Sequence, residues 1–217
     1  MDICKNKIAK RLKLKFLLFF YNHFKHISIK CGDDCEISHL KLASCGNGNS
    51  VILGDGVKLK DVTISVFGNQ NQLIIHSNNN ISKVRFVMED DDNKIEIGEH
   101  NYIGSDCLLA ALEGTRISIG SNCMIASPCE IRTSDSHSLL DSDGRRINYA
   151  KDIIIGDHIW IGMGCLILKG AYIPEDCVVA AKSVVCSMEN VNKGSLLGGI
   201  PARILKENIN WNHKRIK

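Results

Sequence analysis

The sequence lacks several features that would assign its 217 residues to a familiar class. None of its ten cysteines has the C-x-x-C spacing that is typical of a zinc site. No cleavable signal sequence is recognisable, so we expect a reducing cytoplasm. The apolar run from Phe16 to Tyr21 is far too short to span a bilayer. The turn signals that separate the strands of a β-sandwich are missing from residues 155–185.

Residues 155–185 carry a six-residue repeat instead. Its period fits neither an α-helix, with 3.6 residues per turn, nor a plain strand with a period of two. It fits a chain that turns a corner every six residues, so that three faces form a triangular coil of about 18 residues. We therefore predict an all-β fold, a left-handed parallel β-helix or solenoid. The repeated aliphatic residues are Ile155, Ile161, Ile167, Ile173, Val179 and Val185.

Six cysteines occupy the small-residue place of this six-residue pattern. Packing explains them without any disulfide bond, because a buried free cysteine behaves as a small apolar residue. They are Cys35, Cys107, Cys123, Cys129, Cys165 and Cys177.

Residues 1–23 differ from the rest of the chain. Six lysines and arginines and no acid lie between Lys5 and Lys15. Ile8, Leu12 and Phe16 recur at helical spacing, which predicts an amphipathic helix. Two roles remain open for it: a cap on the first coil of the solenoid, or a peripheral contact with the anionic inner face of a membrane.

A longer repeat fills residues 24–133. Segments that begin at residues 46, 68, 90 and 112 align with starts 22 apart, which is three faces of six residues plus four extra residues at one corner. The extra residues are mostly Gly, Asn and Asp, which suit tight turns. We predict that Asn49, Asn71 and Asn93 stack as a ladder along this corner, and we interpret the column as solvated turns rather than an acceptor-binding rim. The β-helix domain is predicted over 24–193 and a tail over 194–217.

The repeat is interrupted by a polar loop over residues 133–152. A long loop leaving a rigid scaffold is a favoured place for function. His137 lies in it, outside the repeat, where an imidazole has no packing role. Histidine is suited to act as a general base near neutral pH. Asp135 or a backbone carbonyl could orient the ring.

Four features in order resemble one known family: S-D-S-H-S, then G-R-R-I-N-Y-A-K-D-I-I-I-G-D-H-I-W-I-G, then I-L-K-G, then G-I-P-A-R-I-L-K followed by N-I-N-W. This order is similar to that of the hexapeptide-repeat, left-handed β-helix acyltransferases, within the branch that O-acetylates bacterial surface polysaccharides. The resemblance implies a homotrimer that transfers acetyl from acetyl-CoA to a glycan hydroxyl, with the thioester in a cleft between neighbouring solenoids. It implies His137 as the base, Trp160 in the site and Arg203 on the coenzyme A side.

Further site residues are expected around these. Trp160 could wall the acyl or sugar pocket by stacking, or pack between subunits. Gly162 is a candidate for an oxyanion donor through its backbone N–H, and it is grouped with Ala180 as a candidate for contact with the cofactor. Lys182, Arg203 and Lys206 are candidates for binding the phosphates of coenzyme A.

Two arginines and one histidine complete the set of candidates. Arg145 and Arg146 could pair with an acidic acceptor such as a sialylated or uronic glycan. His158 is the competitor of His137, although it shares its place in the repeat with His100 and Asn122, which a turn position explains.

Three other functions stay open. The same scaffold could N-acetylate an amino-sugar nucleotide or an antibiotic, act as a zinc carbonic anhydrase, or serve as a silent scaffold. The carbonic anhydrase needs three converging histidines, and the spacing of His76, His100, His137 and His158 does not favour it. We expect no metal and no nucleic-acid partner.

Overall fold

A computed structural model describes residues 27–216. The predicted helix of residues 1–23 lies outside the described residues. The described chain forms 23 short strands in three sheets, called A, B and C, and the first 21 strands visit these sheets in turn. The last two strands, Leu196–Gly199 and Ala202–Lys206, both belong to sheet B, and their pairing is the one antiparallel pairing between the described strands. The predicted parallel β-helix is therefore confirmed.

The strands are numbered in chain order. Sheet A contains β1 Ile27–Cys31, β4 Asn49–Leu53, β7 Gln72–Ile75, β10 Lys94–Ile97, β13 Arg116–Ile119, β16 Ile153–Ile155 and β19 Tyr172–Ile173. Sheet B contains β2 Glu36–Ser38, β5 Lys58–Lys60, β8 Asn80–Ser82, β11 Tyr102–Ile103, β14 Met124–Ile125, β17 Trp160–Ile161, β20 Val178–Val179, β22 Leu196–Gly199 and β23 Ala202–Lys206. Sheet C contains β3 Lys41–Cys45, β6 Thr63–Phe67, β9 Arg85–Glu89, β12 Leu108–Leu112, β15 Glu130–Arg132, β18 Leu166–Leu168 and β21 Val184–Val185.

The strand register follows the two sequence repeats. Ile95 pairs with Ile117, 22 residues later, and Ile155 pairs with Ile173, 18 residues later. Alternate side chains of the faces point inward and are buried, and they stack into a continuous apolar core. Because apolar burial is the dominant favourable term in folding, this core holds the coils together. No described residue belongs to a helix long and apolar enough to cross a membrane.

The asparagine ladder exists, but the prediction that its column is solvated is wrong for the asparagines themselves. Asn49, Asn71 and Asn93 are 2%, 0% and 0% exposed. Asn71 N donates to Asn49 Oδ1 and Asn93 N donates to Asn71 Oδ1, each at 2.9 Å. The amides replace water by bonding the backbone of the next coil, which removes the cost of burying polar groups at a corner.

A second ladder was not predicted from the sequence. Asn101 N donates to Asn79 Oδ1 at 2.9 Å, and Cys123 N donates to Asn101 Oδ1 at 2.6 Å. It lies between sheets A and B, whereas the first lies between sheets C and A. Buried amides thus close two corners of the prism.

Replacing Asn71 by alanine should lower the free energy of unfolding by about 3 kcal/mol, since it leaves buried backbone groups without partners. Its Nδ2 donates to Asp90 O, and its Oδ1 accepts from Asn93 N. Urea unfolding followed by circular dichroism measures the change. Asn47→Ala, an exposed position at the same corner, is the control and should change stability by less than about 0.5 kcal/mol. Equal losses in both variants would argue against the ladder.

The cysteines behave as predicted at five of the six positions, which are buried, while Cys35 is half-buried. Every described cysteine is free. The Cys165 thiol donates to Ala180 O at 3.1 Å, in the coil above it. Burial raises the pKa of the Cys123 thiol to about 11, so this thiol stays protonated and unreactive at neutral pH.

Candidate functional site

The loop over residues 133–152 projects from the corner between sheets C and A, because β15 ends at Arg132 and β16 begins at Ile153. Its two ends are tied to the coil below. Thr133 Oγ1 accepts from Leu112 N at 3.0 Å, and Asp152 Oδ1 accepts from Arg116 N at 2.8 Å. Thr133 also bonds Thr115, which follows Asn93 in the ladder. Hydrogen bonds therefore fix both ends of the loop, and Thr133 connects the loop to the asparagine ladder through Thr115.

Two ion pairs hold the loop against neighbouring coils. Arg146 Nη1 lies 2.7 Å from Glu113 Oε2, and Lys169 Nζ pairs with Asp135 Oδ2. Hydrogen bonds from Arg146 and then Ser134 lower the pKa of the Glu113 carboxyl. Bonds from Lys169 and then Asn148 lower the pKa of Asp135. Both carboxylates thus stay ionised and engaged at neutral pH.

Asn148 connects these pairs to the candidate base. Its Nδ2 donates to His137 O at 2.8 Å and to Asp135 Oδ2 at 2.7 Å. Its Oδ1 accepts from Leu139 N at 2.7 Å. Asn148 is buried, so its amide fixes the backbone on both sides of residue 138. Sequence reasoning missed this residue, although it stands in the G-R-R-I-N-Y stretch.

The His137 side chain is exposed, and its ring has no bonded partner among residues 27–216. The hydrogen bonds of Asn148 therefore hold the backbone at His137 and leave its imidazole exposed. Asp135 does not orient the ring, because its carboxylate is engaged by Lys169 and Asn148. A histidine held in this way is available to a ligand or to a second chain.

The pKa shifts predict how loop anchoring depends on pH. Both carboxyls have folded pKa values below their ordinary values of 4.5 and 3.8. Their contribution to anchoring is therefore present above those values and is lost as the pH falls through the lower, folded ones. Protection of the Leu139 and Ile147 amides from hydrogen exchange should be constant from pH 8 to 5 and fall in stronger acid.

Hydrogen exchange corrected for the intrinsic rate measures this effect, with the Lys94 amide in sheet A as an internal control that stays protected. Glu113→Gln removes one pair at any pH and should weaken loop protection already at pH 7. Loss of wild-type protection between pH 8 and 5 would contradict the assignment to these carboxylates.

Sheet B carries several of the other predicted residues. Trp160 is 38% exposed and belongs to an apolar column that crosses the coils. Beside it runs a column of small residues, in which the two alanines are partly exposed and the three glycines are buried. The apolar column is Tyr102, Met124, Trp160, Val178 and Leu196, and the small one is Gly104, Ala126, Gly162, Ala180 and Gly198.

The structure does not support Gly162 as an oxyanion donor. Its N–H donates to Val179 O at 2.8 Å, and that of Ala180 donates to Leu197 O at 2.8 Å. Both donors are used by the strand ladder. A Cβ on Gly162 would lie 2.6 Å from Ala181 N, so close stacking of coils explains the glycine. Contact of these two residues with a ligand remains a proposal.

The three predicted phosphate contacts lie towards the C-terminal end of sheet B. β23 turns back antiparallel on β22, with Arg203 opposite Gly198 and Lys206 opposite Leu196. Gly199 N donates to Ser183 Oγ at 3.2 Å, which brings this hairpin beside the corner that carries Lys182. All three cations are exposed, and none forms an ion pair with an acid in the described part of the chain.

The arginines of the loop are placed differently. Arg145 bonds Asp141, with Nε 3.1 Å from Oδ2, and also bonds Asp143. Arg146 pairs with Glu113 and lies 5.3 Å from the Tyr149 ring centre. Both guanidinium groups are thus engaged within the chain.

His158 sits at a corner in the left-handed region, with φ of 54°, like His100 at 58° and Asn122 at 59°. A turn position therefore accounts for its place in the repeat. Its Nδ1 lies 2.8 Å from Asp176 Oδ1. Across residues 27–216 no three His, Cys, Asp or Glu side chains are grouped as metal ligands.

A single chain does not bring the predicted site together. The loop with His137 lies at the corner between sheets C and A, whereas Trp160, Ala180 and Arg203 lie on sheet B. In a three-sided prism, the corner between two faces lies opposite the third face. His137 and these residues of sheet B are therefore on opposite sides of the solenoid.

Comparison with known proteins agrees with this architecture. The chain is 36% identical over 86 residues to a polysialic acid O-acetyltransferase of Neisseria meningitidis, an alignment that covers 39% of this chain and 40% of the relative. It is 35% identical over 82 residues to a polysialic acid O-acetyltransferase of Escherichia coli O1:K1, covering 37% and 26%. The matched segment thus spans less than half the length of these curated relatives.

One solved structure matches over most of its length. The crystal structure of the polysialic-acid-specific acetyltransferase NeuO superposes with a TM-score of 0.79 at 31% identity, covering 87% of this chain and 79% of that one. No family model matches the sequence. The chain belongs to the hexapeptide-repeat β-helix acyltransferases. The relatives that it matches in that family act, by their names, on polysialic acid.

Proposed function

We propose that the protein transfers acetyl from acetyl-CoA to a hydroxyl of a bacterial surface polysaccharide, with polysialic acid as the first candidate. The observation that carries this proposal is the position of His137 in a chain of this family. Its side chain is exposed, and its backbone is held by a hydrogen bond from Asn148. His137 accepts the proton of the hydroxyl while its oxygen bonds the thioester carbonyl carbon. The carbon–sulfur bond then breaks, and the imidazolium returns the proton to the leaving thiolate.

The complete site forms between two chains of a homotrimer. The position of His137 opposite sheet B supports this, since a neighbouring chain can supply the missing face. The tip of the loop also exposes four large apolar side chains, Leu139, Leu140, Ile147 and Tyr149, each between 59% and 62% accessible. Several large exposed apolar side chains on one loop are typical of an interaction surface.

Acetyl-CoA lies along sheet B of the chain opposite the loop. The pantetheine arm runs beside Trp160 and past Ala180, which is partly exposed, whereas Gly162 and Gly198 of the same column are buried beneath it. Lys182, Arg203 and Lys206 provide cations for the phosphates at the end of this column. With no oxyanion donor at Gly162, that role falls to another group in the assembled cleft.

The reaction takes place in the cytoplasm, where the free thiols at the described cysteines remain reduced. A contact with the inner face of the membrane would fall to residues 1–23. An anionic acceptor fits the family branch but does not use Arg145 and Arg146 as free cations, because both are paired in the isolated chain.

Incubation with acetyl-CoA and purified polysialic acid, with thiol release followed over time, tests the proposal. Release should depend on the glycan and leave an alkali-labile ester on it. A neutral capsular glycan and a carboxyl-reduced polysialic acid are the matched acceptors. An alkali-stable product on an amino sugar would favour N-acetylation, and no acceptor-dependent thiol release would reject the function.

A further inference from the structure

The C-terminal tail folds back over the corner between sheets A and B. Ile209 N donates to Gly194 O at 2.8 Å. Asn192 Nδ2 donates to Glu207 Oε1 at 2.9 Å. Gly194, Asp176 and His158 occupy the same corner of three successive coils, 18 residues apart. The tail therefore runs from the last coil down to the level of β17, where Trp160 lies.

Trp211 ends this path in a set of specific contacts. Its ring stacks on His158 with centres 4.6 Å apart and planes 12° apart. Its Nε1 donates to His158 O at 2.8 Å. His158 is in turn held by Asp176. The second tryptophan, Trp160, lies 6.0 Å from Trp211 at a tilt of 42°.

We propose that Trp211 is a positioning residue for Trp160, the aromatic wall of the acetyl-CoA cleft. This inference rests on the proposed function. Along its column Trp160 has Met124 and Val178 as neighbours, and Trp211 supplies an aromatic contact from the corner side. Aromatic pairs at this separation and tilt interact favourably. The stack and the indole bond fix Trp211, and Trp211 limits the orientations of the Trp160 ring.

The increase in KM should follow the number of contacts that each Trp211 variant loses. Trp211→Phe keeps a ring against His158 and Trp160 but loses the N–H donor, whereas Trp211→Leu loses both. Trp211→Leu should raise KM for acetyl-CoA about 10-fold with kcat within about twofold, the scale of a lost aromatic pair. Trp211→Phe should recover most of this loss. His213→Ala, which lies beyond Trp211 on the same tail, is the control and should leave KM for acetyl-CoA unchanged.

A spectroscopic measurement decides the inference without turnover. The chain has two tryptophans, so Trp160 is the one tryptophan that emits in both Trp211 variants when the excitation is selective for tryptophan. Its emission should be red-shifted and its anisotropy lower in Trp211→Leu than in Trp211→Phe. Identical spectra and anisotropies in the two variants would overturn the positioning role.

The two hypotheses fail separately. Absence of acetyl transfer by the wild-type protein rejects the proposed function. The fluorescence comparison would still test whether Trp211 positions Trp160. Where Trp211→Leu does not fold, His158→Asn removes the stack at a position whose left-handed backbone asparagine tolerates, as Asn122 shows. In the Trp211→Phe background it should lower the Trp160 anisotropy, and unchanged anisotropy there would also overturn the inference.

Discussion

The His137→Ala variant should transfer acetyl at least about 100-fold more slowly than the wild-type protein, the usual contribution of a general base. The histidine has no structural bond to lose, because its ring is exposed and without a partner among the described residues. Its backbone clamp through Asn148 does not involve the side chain. The fold and the binding of acetyl-CoA should therefore survive the substitution.

Steady-state thiol release with varied acetyl-CoA and acceptor measures this loss. The effect should appear in kcat with little change in KM for acetyl-CoA, because an interaction made in the transition state is removed. Ser138→Ala, an exposed neighbour in the same loop, is the matched control. Turnover of His137→Ala near that of Ser138→Ala would contradict the role of the base.

The variants His137→Ala and Trp160→Ala, each weakly active alone, should regain activity when they are combined in one trimer. His137→Ala removes the base and Trp160→Ala removes the cleft wall, and these positions lie on opposite sides of one chain. In a cyclic trimer that contains both variants, each interface draws one group from each of two chains, so one of the three interfaces regains both groups. Co-expression should therefore give about a third of wild-type turnover in trimers that contain both chains.

The two variants are co-expressed with different affinity tags and purified through both, so that each assembly contains both chains. Thiol release is compared with that of a mixture made after separate purification, which serves as the control. A site contained in one chain would give only the summed residual activities of the two variants in both samples.

The fold was predictable because its signal is local in the sequence. Each inward aliphatic of residues 155–185 recurs after six positions, and all six are buried. The 22-residue repeat likewise predicts the register, as the pairing of Leu73, Ile95 and Ile117 shows. A solenoid repeats one set of neighbours, so periodicity alone carries most of the information.

The contacts that hold the loop of residues 133–152 in place could not be predicted from the sequence in the same way. Asn148 meets Asp135 across 13 residues, and Lys169 meets Asp135 across 34. These contacts depend on the path of an irregular loop, which no period encodes. Burial of the asparagines was missed for a related reason: composition associates Asn with solvent, whereas the stacked coil offers its amide a backbone partner.

The role of Gly162 shows the limit of reasoning from a single small residue. A glycine suits both a close ligand and a close coil, and the sequence cannot separate the two. The structure places Ala181 N where a Cβ would lie and shows that the N–H of Gly162 is occupied. Packing between coils thus accounts for it.

The position of bound coenzyme A relative to His137 tests the account most directly. A crystal structure of the assembled protein with coenzyme A would give the distances from the thiol sulfur to His137 of each chain. We expect the sulfur on sheet B of one chain, within about 3–4 Å of the His137 imidazole of its neighbour. A thiol bound far from every His137, or beside the His137 of the chain that binds the phosphates, would contradict it.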